Sequence, residues 1–346
     1  MTRTEGTRRQ TAVICAIDIG GSGCRIRLGS AQPATGAGTA RSRSLGPDLR
    51  LPRGITSGPQ GLNIRELLTD IRAMLRTRFG NQATSIHTVC LGCAGIASLC
   101  ANPERLCADT ALILGARHAM LVPDSVAAHA GALSGRPGVV VAAGTGVIAL
   151  GTDYRRIWRR SDGWGYLLGD RGSGSWIGRH ALHIALNTYE DRPGEQSRAL
   201  LHAALGHFGE PDTWPGKIYP HADRARILAS FVPLVTACAD EDSTARKLLR
   251  RAGTEIAATA CTAWVAGLPL RISYAGGILT RCAPIRTAFI AAVRARHRDA
   301  RITEPEGTPL DGAALLAANQ ALASAESPAL SLGKDSWAWS AIQQDL

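Results

Sequence analysis

Residues 13–28 of this chain read VICAIDIGGSGCRIRL, and this stretch decides the fold. A run of five apolar residues is followed by Asp18, a turn of glycine and serine occupies residues 20–23, and apolar residues then alternate with arginine. A buried strand, a turn nearly bare of side chains and a half-buried strand produce this pattern. The stretch therefore predicts a β-hairpin whose loop exposes its backbone N–H groups.

The same pattern returns at residues 139–150, VVVAAGTGVIAL. Each hairpin is followed by alternating helical and extended segments, whereas residues 30–61 are rich in glycine, serine and proline and are predicted to be irregular. This repetition predicts an internal duplication of one α/β unit. We place the boundary near residue 115, giving lobes 1–115 and 116–346, with the helix at 310–323 as a candidate to pack back on the first lobe.

Length and composition fit two globular lobes. The chain has 346 residues, of which 45% are hydrophobic and 19% charged. This balance excludes a disordered protein, a collagen and a coiled coil, and no apolar run approaches the ~20 residues that span a bilayer. Residues 7–17 resemble an export signal superficially, but Asp18 interrupts the apolar run, so we expect a cytoplasmic protein without a membrane segment.

The formal net charge of +11 suggests at first a nucleic-acid partner. The basic residues are spread along the whole chain, and the densest clusters, at residues 155–160 and 246–251, contain no Phe or Tyr that could stack on bases. We therefore expect no nucleic-acid partner. The charge can still attract a small anion such as a nucleotide.

Nine cysteines in a chain of this length do not make a disulfide scaffold. Cys90, Cys93, Cys100 and Cys107 lie close together in the sequence, so a zinc or iron–sulfur site has to be considered. Cys90 falls in a strand-like run and Cys93 in the turn after it. Buried free thiols fit these positions better than metal ligands, and both readings stay open.

Four short segments combine an acidic or hydroxyl group with backbone amides that a ligand could approach. They are Asp18 with the glycine turn after it, Asp124 between a strand and a helix, the turn 144–146 and the turn 275–277. Glycine lets successive N–H groups point at an anion, and a carboxylate after a strand can hold Mg²⁺ through water. Each segment alone could be an ordinary hairpin or a helix cap. Their order along the chain is much harder to obtain by chance.

This order resembles the superfamily of sugar kinases, heat-shock chaperone ATPases and actin. Residues 161–182, SDGWGYLLGDRGSGSWIGRHAL, are similar to the GGWGxxxGDEGSxxWI signature of N-acetylglucosamine kinases. That family includes the ATPase subunits that activate benzoyl-CoA reductase and 2-hydroxyacyl-CoA dehydratase. The resemblance covers residues 13–320. It implies an α/β fold of two actin-like (ribonuclease H-like) lobes, each with a mixed central sheet flanked by helices, and a nucleotide cleft between them.

The resemblance also implies a role for each matching residue. Asp18 would organise Mg²⁺ through water, and Asp124 would be the base that faces the sugar hydroxyl. ATP would be held at its phosphates by the amides of Gly20, Gly21, Ser22, Gly23, Gly144, Thr145 and Gly146 and at its adenosine by Gly276 and Gly277. The sugar would be held by Asp48, Gly163, Trp164, Gly165 and Asp170. These residue types fit phosphoryl transfer, in which the protein mainly positions an alcohol and an Mg–nucleotide.

Four departures from the family pattern fall on the sugar side. Arg171 stands where the family usually has Glu, Val147 where a Ser is common and Asp162 where Gly is usual. An early sugar-binding Asn is missing, and Asp48 lies in the corresponding loop. Kinase activity is therefore better supported than any particular sugar, and a free amino sugar attracted by Asp48 or Asp162 stays open.

The leading hypothesis is an ATP-dependent kinase that phosphorylates an amino sugar, N-acetylglucosamine or glucosamine, at the 6-hydroxyl. A second hypothesis is an ATPase activator that shares an iron–sulfur cluster, supported by the cysteine group alone. A third is a catalytically altered, sugar-sensing regulator, motivated by Arg171 and Val147. We also expect a homodimer. The sequence does not decide the sugar, its acetylation or the preferred nucleotide.

Overall fold

The computed structural model describes residues 12–21, 23–33, 40–58, 61–221, 223–323 and 337–342. The chain forms two compact units, one of residues 1–135 with 309–346 and the other of residues 136–308. No helix in the described part is long and apolar enough to cross a membrane.

The strands and helices alternate along much of the chain. The strands are β1 (Val13–Gly20), β2 (Gly23–Gln32), β3 (Arg41–Ser44), β4 (Leu49–Leu51), β5 (Ser57–Gly58), β6 (Gly61–Leu62), β7 (Ile86–Cys93), β8 (His118–Pro123), β9 (Gly138–Ala143), β10 (Val147–Thr152), β11 (Trp158–Asp162), β12 (Arg271–Ala275), β13 (Arg301–Ile302) and β14 (Trp339–Ile342). The helices are α1 (Ile64–Phe79), α2 (Ile96–Leu99), α3 (Pro103–Leu114), α4 (Asp124–Ala132), α5 (Gly165–Leu168), α6 (Gly174–Tyr189), α7 (Arg198–Phe208), α8 (Trp214–Ile218), α9 (Arg224–Ala229), α10 (Val232–Cys238), α11 (Ser243–Ala263), α12 (Gly277–Arg281), α13 (Ala283–Arg296) and α14 (Pro309–Ala321).

The first unit is built on a mixed sheet of order β14-β8-β7-β1-β2-β3, in which β4 also pairs with β2. β1 and β2 form the predicted antiparallel hairpin, and β7 and β8 run parallel to β1. The apolar residues of this hairpin, such as Ile17 and Ile26, are completely buried. Each such side chain contributes about 1.5–3 kcal/mol when it is fully buried.

The second unit repeats this arrangement in a sheet of order β11-β10-β9-β12-β13. β9 and β10 form the second predicted hairpin, and β12 and β13 run parallel to β9. In both sheets the first strand of the hairpin has, on one side, two strands joined in antiparallel succession and, on the other side, two strands that run parallel to it. The predicted duplication and the predicted mixed sheets flanked by helices are thus confirmed.

Residues 116–135 belong to the first unit, although we placed the boundary near residue 115. β8 pairs in parallel with β7, so the helix α4 that follows β8 stays with the first sheet. α14 packs directly on α4, because Gly312 has no side chain and a Cβ there would overlap the carbonyl oxygen of Ala127. The chain therefore returns to the first unit at α14.

The segment 30–61, expected to be irregular, contains short strands. β3 has the sequence RSRS and pairs with the outer part of β2, and β4 pairs with the inner part. The sequence RSRS gave no signal for β3, because an edge strand is held by backbone hydrogen bonds and needs little burial, and β4, with three residues, is too short to show a pattern. Trp339 lies in β14, which pairs antiparallel with β8 at the edge of the first sheet.

Candidate functional site

Asp18 and Asp124 lie at the same edge of the first sheet. Asp18 is near the carboxyl end of β1, Asp124 directly follows β8, and β7 lies between these two parallel strands. Neighbouring strands are spaced by about 4.8 Å, so the two strand ends are roughly 10 Å apart. The structure therefore brings together the predicted metal-binding and catalytic carboxylates.

The electrostatics of this edge favour a cation. The pKa of Asp18 is raised to about 6, mainly by burial and then by repulsion from Asp124, while Arg25, opposite Asp18 in the hairpin, partly offsets the rise. A cation beside Asp18 would relieve both the burial cost and the repulsion. In the described part of the chain no group of three or more His, Cys, Asp or Glu residues could hold a metal alone. A single carboxylate at this edge is compatible with Mg²⁺, which proteins usually bind through one or two carboxylates together with water and phosphate oxygens.

Asp124 is the first residue of α4 and follows Pro123, which occupies the N-cap position. Its Oδ1 accepts a hydrogen bond from the Ser125 amide at 2.8 Å. Asp124 is therefore not the simple N-cap that its place in the sequence could also indicate. A carboxylate in the first turn of a helix interacts favourably with the helix dipole.

The glycine turn of the first hairpin is backed by a segment that sequence reasoning missed. Gly20 pairs with Gly23 across the turn, and Ser22 lies outside the described residues. The Ile55 amide donates to the Gly20 carbonyl at 3.0 Å, and a Cβ on Gly54 would overlap the Gly20 and Gly21 carbonyls. The carbonyl side of the turn is thus fixed by residues 54–55. The signal in the sequence, a lone glycine in an irregular stretch, was too weak to find it.

Asp48 is held in an ion pair. Its two carboxylate oxygens accept hydrogen bonds from Arg27 Nε and Nη2 at 2.7 and 2.8 Å, and Arg27 Nη1 donates to Asp311 of α14 at 2.5 Å. A bidentate guanidinium occupies most of the hydrogen-bonding capacity of a carboxylate. The geometry therefore ties Asp48 to β2 and α14 and weakens the prediction that it attracts an amino sugar.

In the second unit, Asp170 lies directly against the turn 144–146. The Val147 amide donates to Asp170 Oδ1 at 3.1 Å, and a Cβ on Gly146 would come within 2.8 Å of Asp170 Oδ2. The amides of Gly174 and Ser175, at the start of α6, donate to the Gly144 and Thr145 carbonyls at 2.8 and 3.1 Å. The segment 161–182 thus fixes the second glycine turn, a contact that the sequence did not predict.

Asp162 fixes the backbone that presents Asp170. Its Oδ1 accepts a hydrogen bond from the Asp170 amide at 2.8 Å, and its Oδ2 accepts one from the Arg171 amide at 3.1 Å. Both aspartates have left-handed backbones, with φ of 59° and 54°, which Asp tolerates better than most residues. The pKa of Asp170 is raised to about 6, mainly by burial; the hydrogen bond from the Val147 amide opposes this rise, and the charge of Asp162 adds to it. Asp162 is therefore a positioning residue and not a free carboxylate that could attract an amine.

Gly163 and Trp164 form the bend between β11 and α5, and Gly165 is the first residue of α5. The Trp164 side chain is 63% exposed, and the Arg160 guanidinium lies 4.5 Å from its ring centroid. Arg160 also donates to the carbonyls of Asp162 and Gly163 at 2.9 and 2.6 Å. One face of the indole is thus covered by a guanidinium that the backbone holds in place.

The turn at Gly276 lies beside the turn 144–146. β12 runs parallel to β9, and Gly276 follows β12 with a φ of 88°. A Cβ at this position would overlap the Ala143 carbonyl oxygen, so the close approach requires glycine. Gly277 begins α12. The predicted phosphate turn and the predicted adenosine turn therefore meet at the carboxyl ends of two parallel strands, where ligands of open α/β sheets bind.

The cysteine group has the character of core thiols. Cys90, Cys93 and Cys107 are completely buried, and burial raises the pKa of the Cys107 thiol to about 12. The Cys107 sulfur lies 3.3 and 3.4 Å from the carbonyl oxygens of Ala119 and Trp339. Metal ligation requires thiolates, which these surroundings disfavour.

Comparisons with known proteins agree with this architecture. A solved structure from Chromobacterium violaceum, described as a candidate N-acetylglucosamine kinase, is 24% identical, covers 88% of this chain and 98% of its own, and superimposes with a TM-score of 0.68. A ROK family glucokinase from Streptomyces griseus, solved with glucose and AMPPNP, is 17% identical over 88% of this chain and 99% of its own, with a TM-score of 0.52. The likenesses confirm the predicted fold of actin-like sugar kinases.

Sequence comparison adds a relative and a family. An N-acetylmuramic acid/N-acetylglucosamine kinase from Clostridium acetobutylicum is 29% identical over 150 residues, which are 41% of this chain. The chain matches about half, 48%, of the length of that relative. The BadF/BadG/BcrA/BcrD ATPase family model matches residues 16–317, which is most of the chain. The protein therefore belongs to the BadF/BadG/BcrA/BcrD ATPase family.

Proposed function

We propose that the protein is an ATP-dependent kinase of an N-acetylated amino sugar, with N-acetylglucosamine as the first candidate and the 6-hydroxyl as the acceptor. The observation that carries the proposal is the contact between the Asp170 carboxylate and the turn 144–146. This contact joins a predicted sugar-binding carboxylate to a predicted phosphate-binding turn within one unit. A kinase needs such a junction, because the hydroxyl must meet the outer phosphate of the nucleotide.

The proposal assigns nucleotide binding to the glycine turns. The turn 144–146 presents backbone amides to phosphate, and the neighbouring Gly276 allows close approach of the adenosine. The carbonyls of Gly144 and Thr145 are bonded to α6, which holds the turn in one conformation. Amides that are fixed before the nucleotide arrives need little reorganisation when it binds. The AMPPNP bound in the Streptomyces griseus structure supports ATP as the nucleotide.

The proposal assigns proton transfer to Asp124. The sugar oxygen attacks the γ-phosphorus, an O–P bond forms, the bond to the β-phosphate oxygen breaks, and the sugar hydroxyl proton passes to the Asp124 carboxylate. Mg²⁺, when bound, would neutralise charge on the phosphate oxygens. Asp18 would hold this ion through water, which the raised pKa of about 6 and the nearby Asp124 support.

We prefer an N-acetylated sugar to a free amino sugar because neither of the two carboxylates that could attract a free amine is available. Asp48 is paired with Arg27, and Asp162 accepts two backbone amides. Neither offers a free carboxylate to an ammonium group. The printed names of the Clostridium acetobutylicum and Chromobacterium violaceum proteins support the same class of sugar.

A substrate panel tests the proposal directly. The full chain is assayed for ADP release with Mg–ATP and with N-acetylglucosamine, glucosamine, glucose and 6-deoxy-N-acetylglucosamine. We expect N-acetylglucosamine to be turned over with the highest kcat/KM and the 6-deoxy sugar to give no sugar-dependent ADP release. Turnover of the 6-deoxy sugar would move the acceptor to another hydroxyl, and no turnover of any sugar would reject the kinase.

The other two hypotheses are less well supported. The family match fits the ATPase activator as well, but the burial of Cys90, Cys93 and Cys107 argues against the shared iron–sulfur cluster that this hypothesis needs. The regulator hypothesis started from Arg171 and Val147, but the chain keeps Asp18, Asp124 and Asp170, the three carboxylates that the proposed mechanism uses. The homodimer stays a prediction that sedimentation of the full chain can check.

A further inference from the structure

A cavity of about 830 Å³ opens among α5, α6, α8 and α9 of the second unit. α6 contributes Arg179, Leu182 and Leu186 to its lining, and α8 with the residue after it contributes Trp214 and Tyr219. The volume falls within the range of small-molecule sites. None of the residues proposed to bind phosphate, adenosine or sugar contributes to the lining, so a ligand here would occupy a separate site.

Exposed apolar side chains gather around this cavity. In the described part of the chain eight large hydrophobic side chains are exposed, and three of them, Leu167, Tyr189 and Tyr219, line the cavity. Leu182 and Trp214 are buried and extend the apolar lining. Apolar side chains that cluster at the surface of a cavity mark a place that a ligand covers.

The aromatic part of the lining favours a planar ligand. Tyr166, Tyr189, Trp214 and Tyr219 reach the cavity from different points along the chain. Trp214 is fixed in its place, since its Nε1 donates a hydrogen bond to the Gly209 carbonyl at 2.8 Å. Aromatic side chains attract other rings in stacked or edge-to-face arrangements. A rigid aromatic body therefore gains more here than a flexible aliphatic chain, which loses more conformational entropy when it binds.

Two guanidinium groups give the lining its positive charge. Arg179 Nη1 donates to the Tyr166 carbonyl at 3.1 Å, and Arg224 Nε donates to the Tyr219 carbonyl at 2.7 Å. Neither arginine forms an ion pair within the residues that the structure describes. Neutral carbonyls orient a guanidinium without cancelling its charge, so both groups keep N–H donors for a carboxylate.

The other titratable residues of the lining leave one positive charge in excess. Glu190 already pairs with Arg192 at 3.2 Å, and Asp212 is the remaining carboxylate of the lining. His183 adds no charge at neutral pH, because burial and then the neighbouring Arg179 lower its pKa. Two guanidiniums against one carboxylate suit a ligand with a single negative charge and suit a doubly charged phosphate less well.

We propose that this cavity is a second ligand site and that it takes an aromatic carboxylate, with the ring among Tyr166, Trp214 and Tyr219 and the carboxylate at Arg179 and Arg224. The inference goes beyond the proposed kinase function and does not depend on it, since the lining shares no residue with the proposed transfer site.

The test uses three probes that separate charge from ring. 2-Naphthoate carries both, 2-naphthamide has the same ring and nearly the same size without the charge, and decanoate carries the charge on a flexible chain. Calorimetry with the full chain should show 2-naphthoate bound at one site, roughly tenfold or more tightly than either of the other probes. 2-Naphthoate should stay bound when Mg–AMPPNP and N-acetylglucosamine are added at saturation.

Three variants locate the binding. Arg224→Gln should bring the affinity for 2-naphthoate to within about threefold of that for 2-naphthamide, because it removes the charge and keeps the ring contacts. Leu186→Trp fills part of the cavity and should abolish the binding of both naphthyl probes. Arg226→Gln is the matched control, since Arg226 is exposed on the same helix, pairs with Asp223 and does not line the cavity. It should keep the wild-type affinities.

Equal affinities for 2-naphthoate and 2-naphthamide in the wild type, or a preference that Arg224→Gln leaves unchanged, would overturn the inference. Displacement of 2-naphthoate by Mg–AMPPNP would place the probe at the nucleotide site and would also overturn it. An affinity that falls as the protein concentration rises would show that a second copy of the chain covers the cavity instead. All of these are binding measurements, so a failure of sugar phosphorylation would reject the proposed kinase and leave this inference standing.

Discussion

Replacing Asp18 by Asn should stabilise the folded protein at neutral pH, although Asp18 is proposed to be essential for activity. The Asp18 carboxylate is largely buried near Asp124, and burial followed by this repulsion raises its pKa to about 6. Ionisation at pH 7 is therefore more costly in the folded chain than in the unfolded one. Asn has nearly the same shape and no charge, so the substitution removes this cost.

The size of the effect follows from the pKa. A pKa of about 6 against the ordinary 3.8 corresponds to roughly 3 kcal/mol, since one pKa unit is about 1.4 kcal/mol. Asp18 is not completely buried, and water screens part of this cost, so we expect about 2 kcal/mol. For a unit of this size that is a rise in Tm of roughly 4–8 °C.

The pH dependence gives the sign of the effect. A raised pKa means that the folded state binds more protons than the unfolded state between about pH 4 and pH 6. The stability that protonated Asp18 contributes is present below about pH 4 and is lost as the pH rises to about 6. The difference in Tm between Asp18→Asn and the wild type, measured by circular dichroism on the full chain without Mg²⁺ or nucleotide, should therefore be largest at pH 7 and vanish near pH 4.

Asp153→Asn is a control for which we expect a change in Tm of the opposite sign. Burial tends to raise the pKa of Asp153, but the backbone hydrogen bonds from Ile157, Arg155 and Arg156 outweigh it and lower the pKa. Stability from this group is present at neutral pH and is lost in acid, so Asp153→Asn should lower the Tm at pH 7. A lower Tm of Asp18→Asn at pH 7, or a difference that does not depend on pH, would refute the argument about Asp18.

Three further predictions concern the proposed site. Asp124→Asn should lower kcat by roughly 10²–10⁴-fold and keep nucleotide affinity within about threefold, because it removes only the proton acceptor. Steady-state kinetics measures kcat, and calorimetry with Mg–ATP measures the nucleotide affinity. An unchanged kcat would dismiss Asp124 as the base. Gly276→Ala should lower the Tm and weaken ATP binding, because its Cβ would overlap the Ala143 carbonyl. Gly277→Ala should lower the Tm much less, because no atom lies closer than 4.0 Å to its Cβ. Equal losses of Tm in the two variants would contradict the role of the close approach at Gly276. Asp162→Asn keeps a residue type that tolerates a left-handed backbone but removes one of the two oxygens that accept the Asp170 and Arg171 amides. Calorimetry should therefore show a sugar affinity about tenfold weaker than that of the wild type. An unchanged affinity would show that Asp162 does not orient Asp170.

The fold could be predicted from the sequence where its pattern is local. Apolar runs on either side of a glycine turn predict the two hairpins, and helices and strands alternate after each hairpin as predicted. β3 was not predicted, because an RSRS edge strand carries no apolar signal. The helix at 310–323 was considered as a candidate to pack back on the first lobe, and α14 does belong to the first unit. The assignment of α14 to the first unit depends on the fit of Gly312 against α4.

The residue types of the site could also be predicted, but their partners could not. Asp48 and Asp162 were considered as attractors of an amine because carboxylates in a sugar loop have that chemistry. In the structure Asp48 forms an ion pair with Arg27, and Asp162 accepts hydrogen bonds from two backbone amides. Both pairings depend on contacts that form only when the chain folds. Sequence alone therefore identifies a carboxylate more readily than it shows whether that carboxylate is free.

The duplicated topology explains why the two units can carry different chemistry on one architecture. In each sheet the hairpin strand and its parallel neighbours end at the same edge, so whatever follows those strands is collected there. In the first unit the edge collects the carboxylates of Asp18 and Asp124, which suit a cation and a proton. In the second unit it collects the turn 144–146 and Gly276, whose close approach leaves no room for a side chain and suits a nucleotide. Exchanging these residue types would therefore alter the chemistry without changing the sheet order, and this is why the function has to be argued from the strand ends and not from the fold.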